Sequence, residues 1–272
     1  MSMQLAARLT GVLPSLALAL AASTASAAPV YWTDWTGGDN TAGPGFSANG
    51  TITTPDATVT VTYSNPNGVG FYQSSGGTDY WIPRTPVGNS PYTSSQVDNV
   101  PTGTDIIALQ YAGNQTLTFS QTVLNPVFAF VSLNGNGYAF LNQDFEILSY
   151  GGGLNAPAPG DNSCGYYGCG SVSKQVIDLG NGNTEYRLIG TGEPHGTIRF
   201  TGAFDTLAWR SMTSEYWNGF TVGVQGTAGG GGNPPPPPPP PPTGVPLPAT
   251  WLLLLAGGAG MAAVRRGRKS GS

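Results

Sequence analysis

Apolar and polar residues alternate in short runs along most of the chain, and clusters of Gly, Asn and Pro separate the runs. Residues 58–63 (TVTVTY) are the clearest case. A period of two places Val59, Val61 and Tyr63 on one face and the threonines on the other, the mark of a strand with one buried face. Residues 51–54 precede it as a strand of the same kind. Residues 105–109, 116–119 and 127–133 predict three more, with turns at Gly113-Asn114 and Asn125-Pro126. The last of these, VFAFVSL, is the most apolar and is expected to be central. Asn134-Gly135-Asn136-Gly137 supplies residues that accept positive φ, and leads into strands over 138–141 and 145–150 that read as a hairpin or meander. Strands over 174–179 and 185–190 flank Gly180-Asn181-Gly182-Asn183, a second hairpin signal. Residues 196–201, 206–210 and 219–225 complete a set of roughly ten to twelve strands. No stretch of this region sustains an apolar period of 3.6, so the expected fold is all-β: an antiparallel β-sandwich or jelly-roll.

The pattern changes at both ends. Arg8 precedes an apolar run over 9–22, followed by small residues, which reads as a secretory signal peptide over 1–27. Ala25, Ser26 and Ala27 fit a signal peptidase site, with cleavage between Ala27 and Ala28. The ectodomain is expected over 28–226. Residues 227–244 form a Gly/Pro-rich linker with nine consecutive prolines, a polyproline rod on the order of 28 Å long. Beyond it stand Val245, Pro246, Leu247, Pro248 and Ala249, then an uncharged apolar run over 250–264, then Arg265, Arg266, Arg268 and Lys269. As a helix those fifteen residues reach about 22 Å, less than a hydrocarbon core about 30 Å thick, which suits a transient anchor. The basic stop is expected to stay cytoplasmic, leaving the rest outside.

Motif, short transmembrane helix and basic cluster, in that order over 245–269, closely resemble the PEP-CTERM family of sorting signals in its VPLPA-type variant. Leu247 stands where the name-giving motif has Glu. The resemblance implies processing by an exosortase and a Gram-negative host, with an inner-membrane anchor before processing and a place at the cell surface or in the extracellular matrix after it. Such proteins commonly come from makers of exopolysaccharide, which brings extracellular polysaccharide in as a partner. The closing segment over 196–226 resembles, more loosely, the last strands of other ectodomains of this family.

Charge narrows the partners. All fourteen acidic residues fall within 28–226, against five basic ones, leaving nine net negative charges and arguing against nucleic acid. Cys164 and Cys169, with four residues between them in an exported chain, read as a disulfide that pins a Gly-rich excursion carrying Tyr166 and Tyr167. Two cysteines and one histidine do not make a metal site, and no cofactor or metal is expected. His195 lies in a Pro-Gly-flanked turn and is expected to be solvated, and no nucleophile elbow surrounds a serine, so no catalytic residues are assigned. Glu146, Glu185, Glu193 and Glu215 are available for a glycosidase pair, with nothing to single out any two of them. Aromatics gather near expected turns: Tyr31, Trp32 and Trp35, then Tyr80 and Trp81, Tyr166 and Tyr167, and Tyr216 and Trp217. Of these Trp32, Trp35, Trp81, Tyr166 and Tyr167 are the candidate sugar-stacking residues. The reading is an exported, exosortase-processed, non-enzymatic surface or secreted protein acting in the exopolysaccharide matrix or envelope. The alternatives are a carbohydrate-binding, lectin-like module and a polysaccharide-active enzyme.

Overall fold

The computed structural model describes residues 29–39, 43–82, 90–151 and 168–225. The chain divides into compact units Met1–Gly232 and Asn233–Ser272. The signal peptide with its Ala27/Ala28 cleavage point, the linker, the sorting motif, the apolar span and the basic stop all lie outside the described residues. So do Cys164, Tyr166 and Tyr167. Among the described residues there are fifteen strands, and no helix is long and apolar enough to cross a membrane.

The strands form two antiparallel sheets. One holds β1 (Tyr31–Trp32), β5 (Phe71–Gln73), β6 (Ile106–Leu109), β8 (Val127–Val131), β10 (Phe145–Tyr150), β13 (Gly196–Phe200) and β15 (Asn218–Val224). Its order is β10-β13-β8-β15-β6-β5, with β1 also pairing β15. The other holds β2 (Asp34–Gly38), β3 (Phe46–Thr53), β4 (Thr58–Asn65), β7 (Gly113–Leu124), β9 (Gly137–Leu141), β11 (Gly170–Gly180), β12 (Asn183–Gly192) and β14 (Ala203–Ser211). Its order is β11-β12-β9-β14-β7-β4-β3-β2.

The alternation in β4 plays out as its sequence dictates: Val59, Val61 and Tyr63 are buried and the threonines between them are exposed. Opposite them in register stand Ile52, Gly50 and Ala48 of β3. The inner faces of the two sheets meet in a single aromatic core. Phe128 of β8 stacks on Phe220 of β15 at 4.9 Å, and Trp209 of β14 meets both rings edge-on at 5.4 and 5.2 Å. Burying such a ring contributes roughly 2–3 kcal/mol, so this cluster is a main source of cohesion between the layers.

Strands β6, β8 and β15 are buried on both faces, which is why their sequences read as continuous apolar runs without alternation. Described residues of the connection between β5 and β6 pack on the outer face of their sheet. Trp81, Tyr92 and Val97 from that connection pack with Val127, Ala129 and Val131 of β8 in a second core.

Three expectations are corrected. β9 and β10 do not form a hairpin: they lie in different sheets, β9 between β12 and β14 and β10 at the edge beside β13. Adjacency in sequence gives way to a crossover because each strand has one apolar face that only the sandwich interior can bury. Gly113 and Asn114 open β7 instead of turning. The strand set exceeds ten to twelve because β1, β2 and β5, all short, carried no periodic signal. The second hairpin forms as expected, with Asn181 and Gly182 at φ 54° and 77° between β11 and β12.

Candidate functional site

Three connections carry the chain from one sheet to the other at one end of the sandwich: residues 132–136 between β8 and β9, 193–195 between β12 and β13, and 212–217 between β14 and β15. Between them lies an open cleft of about 350 Å³, lined by Ser132, Asn134, Glu193, Glu215, Tyr216 and Trp217.

The first two connections are tied together. Ser132, at φ 57°, donates its hydroxyl to one carboxylate oxygen of Glu193, and the Asn134 side chain donates to the other. The Leu133 amide donates to the Pro194 carbonyl at 3.2 Å, and the Ser132 amide to Nδ1 of His195 at 3.3 Å. Gly190, just before the second connection, passes so close that an added Cβ would sit 2.0 Å from the Leu133 carbonyl oxygen. Only glycine permits that approach.

Asn136 joins the third connection to the first. Its Oδ1 accepts from the Gly137 amide at 2.7 Å and from the amide and hydroxyl of Thr213, both at 2.9 Å, while its Nδ2 donates to Glu215 at 3.1 Å. Asn218 also donates to Glu215, and takes the Tyr138 hydroxyl on its own Oδ1. The backbone of Asn134 interacts with Glu215 as well, so one residue touches both carboxylates.

Electrostatics follow from this enclosure. Burial pushes Glu215 up to about 7, with the Glu193 charge adding to the effect and the bonds from Asn136, Asn218 and the Asn134 backbone opposing it. His195 is fully buried, and burial lowers it to about 4, partly offset by the Gly168 backbone. With Nδ1 accepting from Ser132, the neutral ring carries its proton on Nε2. Among the described residues no cation lines the cleft. The four described basic side chains are engaged elsewhere: Lys174 with Asp144, Arg187 and Arg210 with Glu185, and Arg199 with Glu146.

On the aromatic side, Tyr216 is 88% exposed. Trp217 is half-buried against Phe71 at 5.6 Å and Tyr80 at 5.3 Å, which fixes its ring at the cleft wall. Hydrogen-bonding groups and aromatic surface together give the cleft an amphipathic lining suited to a small polyhydroxylated ring.

Several sequence expectations fall elsewhere. Trp32, Trp35 and Trp81 are 6%, 0% and 1% exposed, so these candidate stacking residues offer no face to a sugar. They are core rings: Trp35 Nε1 donates to Thr221 and Trp81 Nε1 to the Asp105 carbonyl. His195, expected in solvent, is enclosed because the connection that carries it folds back under Ser132. Glu146 and Glu185 are ion-paired on sheet surfaces. Cys169 carries no free thiol. Among the described residues no group of three or more His, Cys, Asp or Glu could hold a metal ion. The sequence reading missed Ser132, Asn134, Asn136 and Asn218. The Asn-Gly run over 134–137 was their one visible trace, and it was read only as a turn.

No protein-family model, no curated protein and no solved structure matches the chain.

Proposed function

We propose that this chain is the precursor of an exported bacterial surface protein whose β-sandwich ectodomain binds extracellular polysaccharide at the crossover cleft. The observation that carries the reading is the cleft itself, which Glu193, Glu215 and Asn134 line together with Tyr216 and Trp217 at one end of the sandwich. Sugar recognition combines an aromatic surface for the apolar face of the ring with a few fixed polar groups for its hydroxyls, and both are present. The test is calorimetric titration of the full chain, in detergent, with β-linked glucan and hexosamine oligomers. Tyr216→Ala is expected to weaken binding at least fivefold without lowering stability. Absence of binding to every glycan offered would overturn the reading.

The remaining parts belong to the same proposal. The signal peptide over 1–27 directs export, signal peptidase and exosortase are the processing partners, and the jelly-roll variant of the sandwich is its finer form. The protein passes through an inner-membrane-anchored stage to the surface or matrix of a Gram-negative host. Cys164 pairs with Cys169, which the absence of a free thiol at Cys169 supports. The sorting step is tested by the mass of the protein recovered from envelope and medium, compared with a variant replacing Pro246, Leu247, Pro248 and Ala249. An intact tail in both would refute it.

A second reading, a polysaccharide-active enzyme, is favoured by one observation: two carboxylates line the same cleft, and one of them, Glu215, is raised to about 7. Release of reducing ends from a bound glycan, lost in Glu215→Gln, would establish it over simple binding.

A further inference from the structure

Resting on the glycan-binding reading, we infer that the cleft selects sugars bearing a free amino group, with the ammonium seated between Glu193 and Glu215 and the sugar ring against Tyr216 and Trp217.

Among the described residues neither carboxylate of the cleft has a countercharge. Both carboxylates are held by neutral donors: Ser132 and Asn134 on Glu193, Asn136 and Asn218 on Glu215. These donors fix the geometry of the acids and leave their charge uncompensated. The four described cations are each engaged with acids outside the cleft, so none of them is supplied here. Elsewhere the domain pairs an acid readily, giving Glu185 both Arg187 and Arg210. Burial, with the Glu193 charge adding to it, holds the Glu215 proton towards neutrality.

The same features discriminate between ligands. A glycan carrying carboxylate, sulfate or phosphate would bring a third negative charge into the cleft and be repelled. A neutral hexose or an N-acetylated hexosamine could take hydrogen bonds from Asn134 and give its own to the acids, but would leave the two charges opposed. A protonated amine brings a positive charge and three donors at once, and charge-assisted hydrogen bonds are roughly twice as strong as neutral ones. A bare metal ion fits less well, because among the described residues no third acid joins the pair and both oxygens of Glu193 already accept a bond. The aromatic wall points the same way: Tyr216 is an exposed ring on which a pyranose can lie, and aromatic faces also attract a neighbouring cation.

The test uses three hexamers of identical β-1,4 linkage that differ only at C2: glucosamine, N-acetylglucosamine and glucose. Each is titrated calorimetrically into the full chain in detergent, with EDTA present. The expected result is affinity for the glucosamine hexamer at least tenfold above the other two. Glu193→Gln should remove at least tenfold of that affinity. Asp205→Asn, which deletes an exposed carboxylate on β14, should leave it within twofold and so exclude general attraction to an acidic protein. Circular dichroism of each variant establishes that it is folded, and the wild-type comparison alone decides the selectivity. Equal binding of all three hexamers overturns the amine inference and leaves glycan binding intact. Binding of none overturns both. Binding that appears only when calcium replaces EDTA overturns the inference in favour of a bridging metal.

Discussion

Replacing His195 with Asn should change how stability depends on pH, by an amount set by the burial of the ring. Asn keeps an acceptor near the position of Nδ1, so the Ser132 amide, 3.3 Å from that nitrogen, retains a partner. It removes the titrating group. In the unfolded chain His195 binds a proton near 6.5, and in the folded domain only near 4, because burial opposes the charge and protonation would turn Nδ1 from acceptor into donor against Ser132. The unfolded state therefore holds more protons between these values. The folded domain has the full benefit of a neutral His195 above about 6.5 and loses it as pH falls towards 4. At about 1.4 kcal/mol per tenfold, that amounts to roughly 3 kcal/mol. Glu215, raised to about 7, and Asp105, raised to about 6 by burial, act in the opposite sense. Their stabilising contribution is lost as pH rises through those values, and it flattens the profile of the native protein. The assay is therefore a difference: urea unfolding of native and variant chains from pH 4 to 8, with one stability curve subtracted from the other. Lost ring packing gives a constant offset of about 2 kcal/mol. On top of it the native advantage should shrink by about 3 kcal/mol from pH 7.5 to 4. A difference independent of pH would show that His195 titrates in solvent, and would refute the enclosed crossover geometry.

Glu215→Gln is expected to stabilise the domain by about 2 kcal/mol at pH 8.5 and to be nearly neutral at pH 5.5, measured by urea midpoint. The sign follows from the raised acid, whose ionisation above about 7 costs the folded state. Gly190→Ala should cost about 3 kcal/mol in thermal or urea unfolding and should also disturb glycan binding, because its Cβ would displace the Leu133 carbonyl that leads into Asn134. Phe128→Ala should cost about 3–5 kcal/mol, since its ring contacts Phe220, Trp209, Tyr138 and Phe200 together. A loss under 1 kcal/mol would contradict the shared core between the sheets.

Most strands were legible because their patterns are local. The period of two in β4 survives since only one of its faces is buried, and the run in β8 survives since both are. β1, β2 and β5 were not legible: Tyr31–Trp32 and Phe71–Gln73 are too short for a period, and Asp34–Gly38 ends in two glycines. They pair because neighbouring strands are already in place. The tryptophans misled for a related reason. Trp32, Trp35 and Trp81 stand near turns in sequence, but two small strands and a covering loop turn them into the core. The cleft was the least legible part. Glu193 and Glu215 were visible as acids among others, and nothing local marks them as a pair, because three separate crossovers bring them together.

Those crossovers also determine how rigid the cleft is. A loop site of ordinary construction would have to be ordered when ligand binds, at a cost in affinity. Here Asn136 is 4% exposed and makes bonds to Gly137, Thr213 and Glu215, so the acid is attached to the first residue of β9 and to the segment leaving β14. Asn218, the first residue of β15, holds the same carboxylate from the other sheet and is itself held by the Tyr138 hydroxyl of β9. Glu215 thus sits where both layers meet, in a frame set by strand pairing. Substituting Asn136 or Asn218 should therefore lower stability and binding together, whereas changing the exposed Tyr216 should lower binding alone. That separation is what distinguishes a cleft built into the sandwich from one assembled by its loops.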